Sequence, residues 1–223
     1  MTTPFRSLDA DALDRLYDAP AGPSLNKVAD RLTPAYRRWL ERAPFVAIAS
    51  VGANGGADGG PTIPVERAAD AGAADCSPRG DAPGRLLRVL DERTLAIPDR
   101  RGNRRVDTLR NLVRNPAIGL LFLIPGVDEL VRVNGRAIVT DDAALLDRFE
   151  LDGARPVTAI VVSVEAVYFQ CARALMRSAL WDPASRAARD EVPSAGEMIR
   201  SVDAAFDAKA YDAALRERQR ATL

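Results

Sequence analysis

The feature that most limits the fold is a succession of short apolar or alternating runs with little chain between them. The runs are Phe45–Val51, Cys76–Arg79, Leu86–Leu90, Thr94–Ile97, Ile118–Ile124, Leu130–Thr140 and Val157–Gln170. A parallel pair needs a crossover of a dozen or more residues, whereas antiparallel neighbours are joined by tight turns. Most connections here are too short for crossover helices, so the pattern predicts a closed antiparallel barrel of five or six strands, not a βαβ sheet. Leu130–Thr140 alternates Arg132, Asn134 and Arg136 with apolar residues, which places the three on one face. That face is either solvated or in contact with a ligand.

Helical signals flank this region. Leu8, Leu13, Leu16 and Tyr17 recur at helical spacing, and Ser24 is placed to cap a short helix through Val28. Thr33-Pro34 starts another, with Pro at the first helical position, running through Trp39 and Leu40 until Pro44. Asp107–Val113 reads as a helix stopped by Asn115-Pro116, and Asp142–Phe149 as one with an acidic start. Helices are also expected over 173–180 and over 195–218, the latter carrying Met198, Ile199, Val202, Phe206 and Leu215. Gly52 to Gly72 is rich in Gly, Ala, Pro and Asp and reads as a flexible insertion. The expected organisation is a helical segment over 1–43, a barrel over 44–183 with a flexible loop at about 52–74, and a helical segment over 184–223. The outer helices are expected to cover the barrel or a partner subunit.

Charge excludes some functions. The 31 Lys and Arg balance the 31 Asp and Glu, so no net field draws the chain to nucleic acid or an acidic membrane. There is no His, which removes His-based triads, His metal sites and the commonest neutral-pH proton carrier. Cys76 and Cys171 show neither close pairing nor metal-ligand spacing, so no metal is expected and a reducing, cytoplasmic compartment is. Met1 to Arg6 lacks the apolar core of a signal peptide, and no run reaches membrane-spanning length.

Arginine is concentrated where a strand run gives way to a helix run, in Ile97-Pro98-Asp99-Arg100-Arg101-Gly102-Asn103-Arg104-Arg105. Helix-start N–H groups point at an anion and guanidinium forks match its oxygens, so such a turn suits a phosphate. Arg110 and Arg114 extend the cluster, and a solvated basic helix face accounts for the same residues. In Cys76-Ser77-Pro78-Arg79-Gly80-Asp81, Ser77 and Arg79 share a strand face, where both can contact a phosphate; the same residues also read as an ordinary turn. This segment precedes the Arg turn by two strands, so the two are expected side by side. In Arg177-Ser178-Ala179-Leu180-Trp181-Asp182-Pro183, the Trp181 ring offers a flat surface for a ring system, for the core or for a subunit interface.

Taken in order, these motifs resemble the pyridoxamine 5′-phosphate oxidase-like family of FMN-binding split barrels. The residues that carry the resemblance are Ser77-Pro78-Arg79-Gly80, Arg88-Val89-Leu90-Asp91, the Arg turn, Asp107-Thr108-Leu109-Arg110-Asn111-Leu112, Asn115-Pro116, the run Gly119 to Gly126, and Val131-Arg132-Val133-Asn134-Gly135. The chain resembles in particular a branch of FMN-dependent proteins that share the Ala-Leu-x-Arg-Ser-x-Leu-Trp-Asp-Pro ending found at Ala174 to Pro183. The resemblance spans about residues 44–183.

It implies a mainly β fold with flanking helices (α+β), a six-stranded antiparallel split barrel, in a homodimer with FMN at the interface. Ser77 and Arg79, with Asn103, Arg104 and Arg105, correspond to the residues that hold the FMN phosphate and ribityl chain. Ile97, Pro98 and Asp99 correspond to residues lining the isoalloxazine, and Arg177 and Trp181 to contacts from the partner subunit. The chain departs from the oxidases in three places. Glu129-Leu130-Val131 stands where they have Arg-Gln-Val, Asp91 stands where they have Lys, and the His of their C-terminal substrate-binding segment is missing. These departures count against pyridoxamine phosphate oxidation and leave FMN binding in place. The expected function is an FMN-dependent oxidoreductase of a small molecule, with no acid or base assigned. The alternatives are a deazaflavin-dependent reductase on the same fold, or a flavin- or haem-binding carrier or sensor. Neither nucleic acid nor membrane is expected as a partner.

Overall fold

A computed structural model describes residues 5–20, 22–52, 74–102 and 104–220. Its centre is a single sheet of β1 (Phe45–Val51), β2 (Ala74–Gly80), β3 (Arg88–Val89), β4 (Thr94–Pro98), β5 (Ala117–Leu123), β6 (Leu130–Thr140) and β7 (Ala159–Gln170). The spatial order is β2-β1-β5-β6-β7-β4-β3, antiparallel at every pairing. The expected six strands are thus seven, because every candidate run, including the two-residue β3, enters the ladder. No ladder among the described residues joins β2 to β3 and closes the expected barrel.

One core still draws on nearly the whole sheet. Val46 and Ile48 of β1, Val89 of β3, Leu95 and Ile97 of β4, Phe122 of β5, Val133 of β6 and Val162 of β7 are buried in one cluster with Leu40 and Leu112 from flanking helices. Each fully buried aliphatic or aromatic side chain contributes roughly 1.5–3 kcal/mol. β4 is buried on both faces: Ala96, between Leu95 and Ile97, packs into a second cluster with Leu146, Phe149 and Ala159. β6 shifts register at Asn134/Gly135, where a Cβ on Gly135 would collide with the Ser163 carbonyl of β7. Only glycine permits that approach.

The helices mark where local signals hold and where they yield. α1 (Ala10–Asp14), capped by Asp9, is shorter than the run Leu8 to Tyr17. α2 (Gly22–Asn26) begins before Ser24, so Ser24 lies inside the helix and does not cap it. α3 (Pro34–Arg42) is capped by Thr33 with Pro34 opening it, as the sequence predicts. α4 (Asp107–Arg114) follows the Arg turn, α5 (Ala143–Asp147) is capped by Asp142, and α6 is Arg173–Ser178. The single helix expected over 195–218 is two, α7 (Ala195–Arg200) and α8 (Ala208–Arg220). The Asp203 carboxylate accepts from Ala205 N–H and that of Asp207 from Ala210 N–H. These local bonds compete with the helical ladder and restart it.

Before α3, Ala29 exchanges two backbone hydrogen bonds with Val167 of β7, at 2.9 and 2.8 Å. The Tyr36 hydroxyl donates to the Lys27 carbonyl at 2.8 Å and accepts from the Phe169 N–H at 3.3 Å. The insertion expected at about 52–74 lies, between residues 53 and 73, outside the described residues. No helix among the described residues is long and apolar enough to cross a membrane.

Candidate functional site

β2 puts polar residues where a core strand would have apolar ones. Its register with β1 sets Arg79 opposite Val46, Ser77 opposite Ile48 and Asp75 opposite Ser50. Directly opposed residues of an antiparallel pair share a face. Val46 and Ile48 are fully buried in the core, so Asp75, Ser77 and Arg79 line the inward side of the sheet. Their neighbours Cys76, Pro78 and Gly80 are exposed on the outer side. The end strand therefore carries a polar seam along the margin of the core.

β4 brings a matching group to it. Leu95 and Ile97 point into the core, and the next residue on that face is Asp99. Its N–H donates to the Thr158 carbonyl at 2.9 Å, extending the ladder with β7 by one residue. Arg79 Nη1 donates to Ser77 Oγ at 2.7 Å, and Nη2 lies 3.5 Å from Asp99 Oδ1. Burial pushes the Asp99 carboxyl above its ordinary range, and the Arg79 charge offsets only part of that. Beside this pair, Arg100 Nε donates to the Asp81 carboxylate at 2.9 Å while Arg100 Nη1 donates to the Phe149 carbonyl at 2.7 Å.

The far end of the turn is held too. Thr108 Oγ1, in the first turn of α4, donates to Asp75 at 2.8 Å. Asn111 Nδ2 donates to Ser50 Oγ at 3.1 Å, and Thr108, Asn111 and Ser50 are all buried. The segment from Asp99 to Thr108 is thus fastened to β2 at both ends, at Arg79–Asp81 and at Asp75. Ser77 lies midway between these fastenings. The stretch of β2 that they bracket spans about 13 Å, and the longer turn segment takes up its slack in bends.

Those bends are strained. Arg104 and Val106 have φ of 63° and 50°. A β-branched residue in the left-handed region costs about 1–2 kcal/mol, and such strain persists where surrounding contacts fix it. Val106 occupies the cap position of α4 with no side-chain bond to the first-turn N–H groups. Arg105 Nε pairs with Asp107 at 2.8 Å, and Arg104 is exposed. An inward hydroxyl and guanidinium, a helix start without a side-chain cap and a turn bearing arginines are the kinds of group that can hold an anion.

The structure therefore gathers Ser77, Arg79 and Asp99, while Arg104 and Arg105 are exposed on the turn that is fastened to β2. Asn103 lies outside the described residues. Ile97 is fully buried in the main core, and Pro98 is buried opposite Ala159. Arg177 is exposed on α6, and Trp181 Nε1 donates to the Val127 carbonyl between β5 and β6 at 2.9 Å. Arg132 and Arg136 are exposed on β6, Arg132 over the Tyr168 ring at 5.5 Å. Sequence reasoning missed Asp75, Asp81, Arg100 and Thr108 as fastenings. The signal for Asp81 and Arg100 is the opposed charge order of Arg79-Gly80-Asp81 and Asp99-Arg100; Asp75 and Thr108 have none.

No curated protein matches the chain. Among solved structures it is similar to HupZ from Group A Streptococcus, at 16% identity and a TM-score of 0.40, over 56% of this chain and 84% of that one. A Clostridium acetobutylicum protein related to general stress protein 26, of the pyridoxinephosphate oxidase family, matches at 16% identity and a TM-score of 0.40, over 61% and 85%. The FAD binding protein from Mycobacterium smegmatis matches at 16% identity and a TM-score of 0.36, over 64% and 97%. The family profile described as pyridoxamine 5′-phosphate oxidase matches residues 32–171, which run from just before α3 to just past β7 and include the whole polar seam. The chain belongs to the pyridoxamine 5′-phosphate oxidase family.

Proposed function

We propose that this protein binds flavin mononucleotide and works as a flavin-dependent oxidoreductase on a small molecule. The phosphate would lie between Ser77 and Arg79 of β2 and Arg104 and Arg105 of the turn. The observation that carries this reading is the double fastening of the turn to β2, at Asp81 and at Asp75, which brackets the inward Ser77 and Arg79. Each charge-assisted bond to the phosphate contributes roughly 1.5–3 kcal/mol. Asp99, with Pro98, would border the ring. A bound flavin supplies the hydride or electron transfer, and the chain supplies orientation and charge around it. A homodimer with the cofactor at its interface belongs to the same reading, with Arg177 and Trp181 reaching from the second copy. Asp91, Glu129 and the lack of His favour a substrate other than pyridoxamine phosphate.

The test is a titration of the purified protein with FMN, riboflavin and FAD, followed by flavin absorbance and fluorescence. FMN should bind, and Arg104→Ala with Arg105→Ala should weaken it at least about tenfold, the loss of one charge-assisted bond. Failure to bind FMN, or unchanged affinity in the double variant, overturns the assignment. Anaerobic bleaching of the bound flavin by a nicotinamide donor separates an enzyme from a carrier.

A further inference from the structure

Arg79 faces Asp99 and would also face an anion bound beside Ser77, so the two would compete for its charge. It is the one arginine on β2, and its Nη1 is already bonded to Ser77 Oγ and the Pro78 carbonyl. Its Nη2 faces Asp99 at 3.5 Å, beyond the usual 2.7–3.2 Å range of an N–H···O bond. The neighbouring Arg100–Asp81 pair is closer, at 2.9 Å, and Arg100 is further held by the Phe149 carbonyl. One pair is therefore a tight structural tie and the other a loose contact, although both are largely buried. The groups around Asp99 are Arg79 from β2, Thr158 opposite it at the start of β7, and the Arg100–Asp81 pair beside it. With both pairs formed, the two arginines and two aspartates cancel.

We propose that Asp99 is a specificity-determining residue, an internal competitor whose carboxylate occupies Arg79 until a phosphate ester displaces it. The proposal rests on the phosphate site described above. A singly charged carboxylate or sulfonate replacing Asp99 would exchange like for like. A phosphate monoester carries a charge of about −1.5 to −2 near neutral pH and three acceptor oxygens, so it can take Arg79 and the turn together. A flavin without a phosphate gains nothing from the exchange. Asp99 thus sets the minimum charge a ligand needs to hold this site.

The experiment is Asp99→Asn, measured by calorimetric titration with FMN, riboflavin and inorganic phosphate, in the native background and with Arg79→Gln. Loss of the competitor should tighten FMN and inorganic phosphate by about tenfold, the equivalent of one charge-assisted contact of moderate strength. Riboflavin, which lacks the phosphate, should change far less than FMN, and the gain should vanish in the Arg79→Gln background. Asp99→Ser, which also removes the charge, should shift affinity in the same direction. Weaker FMN binding in Asp99→Asn, an equal change for riboflavin, or a gain that survives without Arg79 would each overturn the proposal. If the native protein binds neither flavin, the FMN reading falls and inorganic phosphate alone decides: tighter binding in Asp99→Asn supports the competitor and unchanged binding refutes it.

Discussion

Arg100 Nε sits 2.9 Å from the Asp81 carboxylate, joining the turn after β4 to the end of β2. The two strands lie near opposite ends of the sheet order, so the pair links parts of the sheet that share no ladder. Asp81 is 14% exposed, and removal of its partner would leave a poorly solvated charge. Arg100→Met should therefore lower the unfolding free energy by about 1.5–3 kcal/mol in urea denaturation. Arg101→Met, at an exposed neighbour, should stay within about 0.5 kcal/mol. Equal effects would mean that the tie carries no stability.

Val106→Asn should raise stability. Valine holds φ of 50° at the start of α4 and is substantially exposed, so little burial is lost. Asparagine tolerates the left-handed region, and a gain of about 1 kcal/mol is expected from relieved strain. Thermal unfolding checks this, and a lower melting temperature would count against strain at this residue.

Asp99 gives stability a definite pH slope. Burial keeps its carboxyl protonated to higher pH in the native state than in the unfolded chain. Between the two titrations the native state binds more protons, so stability from this group falls as pH rises, and the loss is complete above the native-state value. The stability of Asp99→Asn relative to the native protein should therefore increase from about pH 4 upward and then level off. Paired denaturation curves across that range test it; a difference flat with pH would show an unperturbed carboxyl.

Gly135→Ala should be costly. The added methyl would meet the Ser163 carbonyl where β6 and β7 shift register, and both strands must move apart to admit it. A loss of about 1–3 kcal/mol or more is expected from chemical denaturation. Gly126→Ala, in a turn with positive φ but open space, would report backbone strain alone.

Much of this sheet was legible from side-chain alternation. Leu130–Thr140 has the predicted bounds because polar and apolar residues there answer largely to outside and inside, and Phe45–Val51 because Pro44 and Gly52 bound an apolar run. Leu86–Leu90 shrinks to Arg88–Val89 because Leu86 and Leu87 are buried by packing without joining a ladder, and apolar character alone does not separate the two. The break between α7 and α8 was written in Asp203 and Asp207, but apolar spacing across 195–218 masked it. Ser77 and Arg79 share a face because strand periodicity requires it. The Asp81–Arg100 and Asp75–Thr108 ties depend on how the sheet curves, which no local pattern encodes. Only the complementary charges of two short segments hinted at the first of them.

The exchange of hydrogen bonds between Ala29 and Val167 has a consequence for self-association. β7 continues past the start of β4, where Thr94 pairs with Ser163, and a strand edge left bare is a template for another chain. One residue ahead of α3 occupies that edge, and Tyr36 anchors it by bonding both Lys27 and Phe169. An intruding strand would have to break both attachments before it could add to the sheet. The N-terminal segment is in this sense a guard against fibril-like growth, installed at the place where the ladder would otherwise invite it.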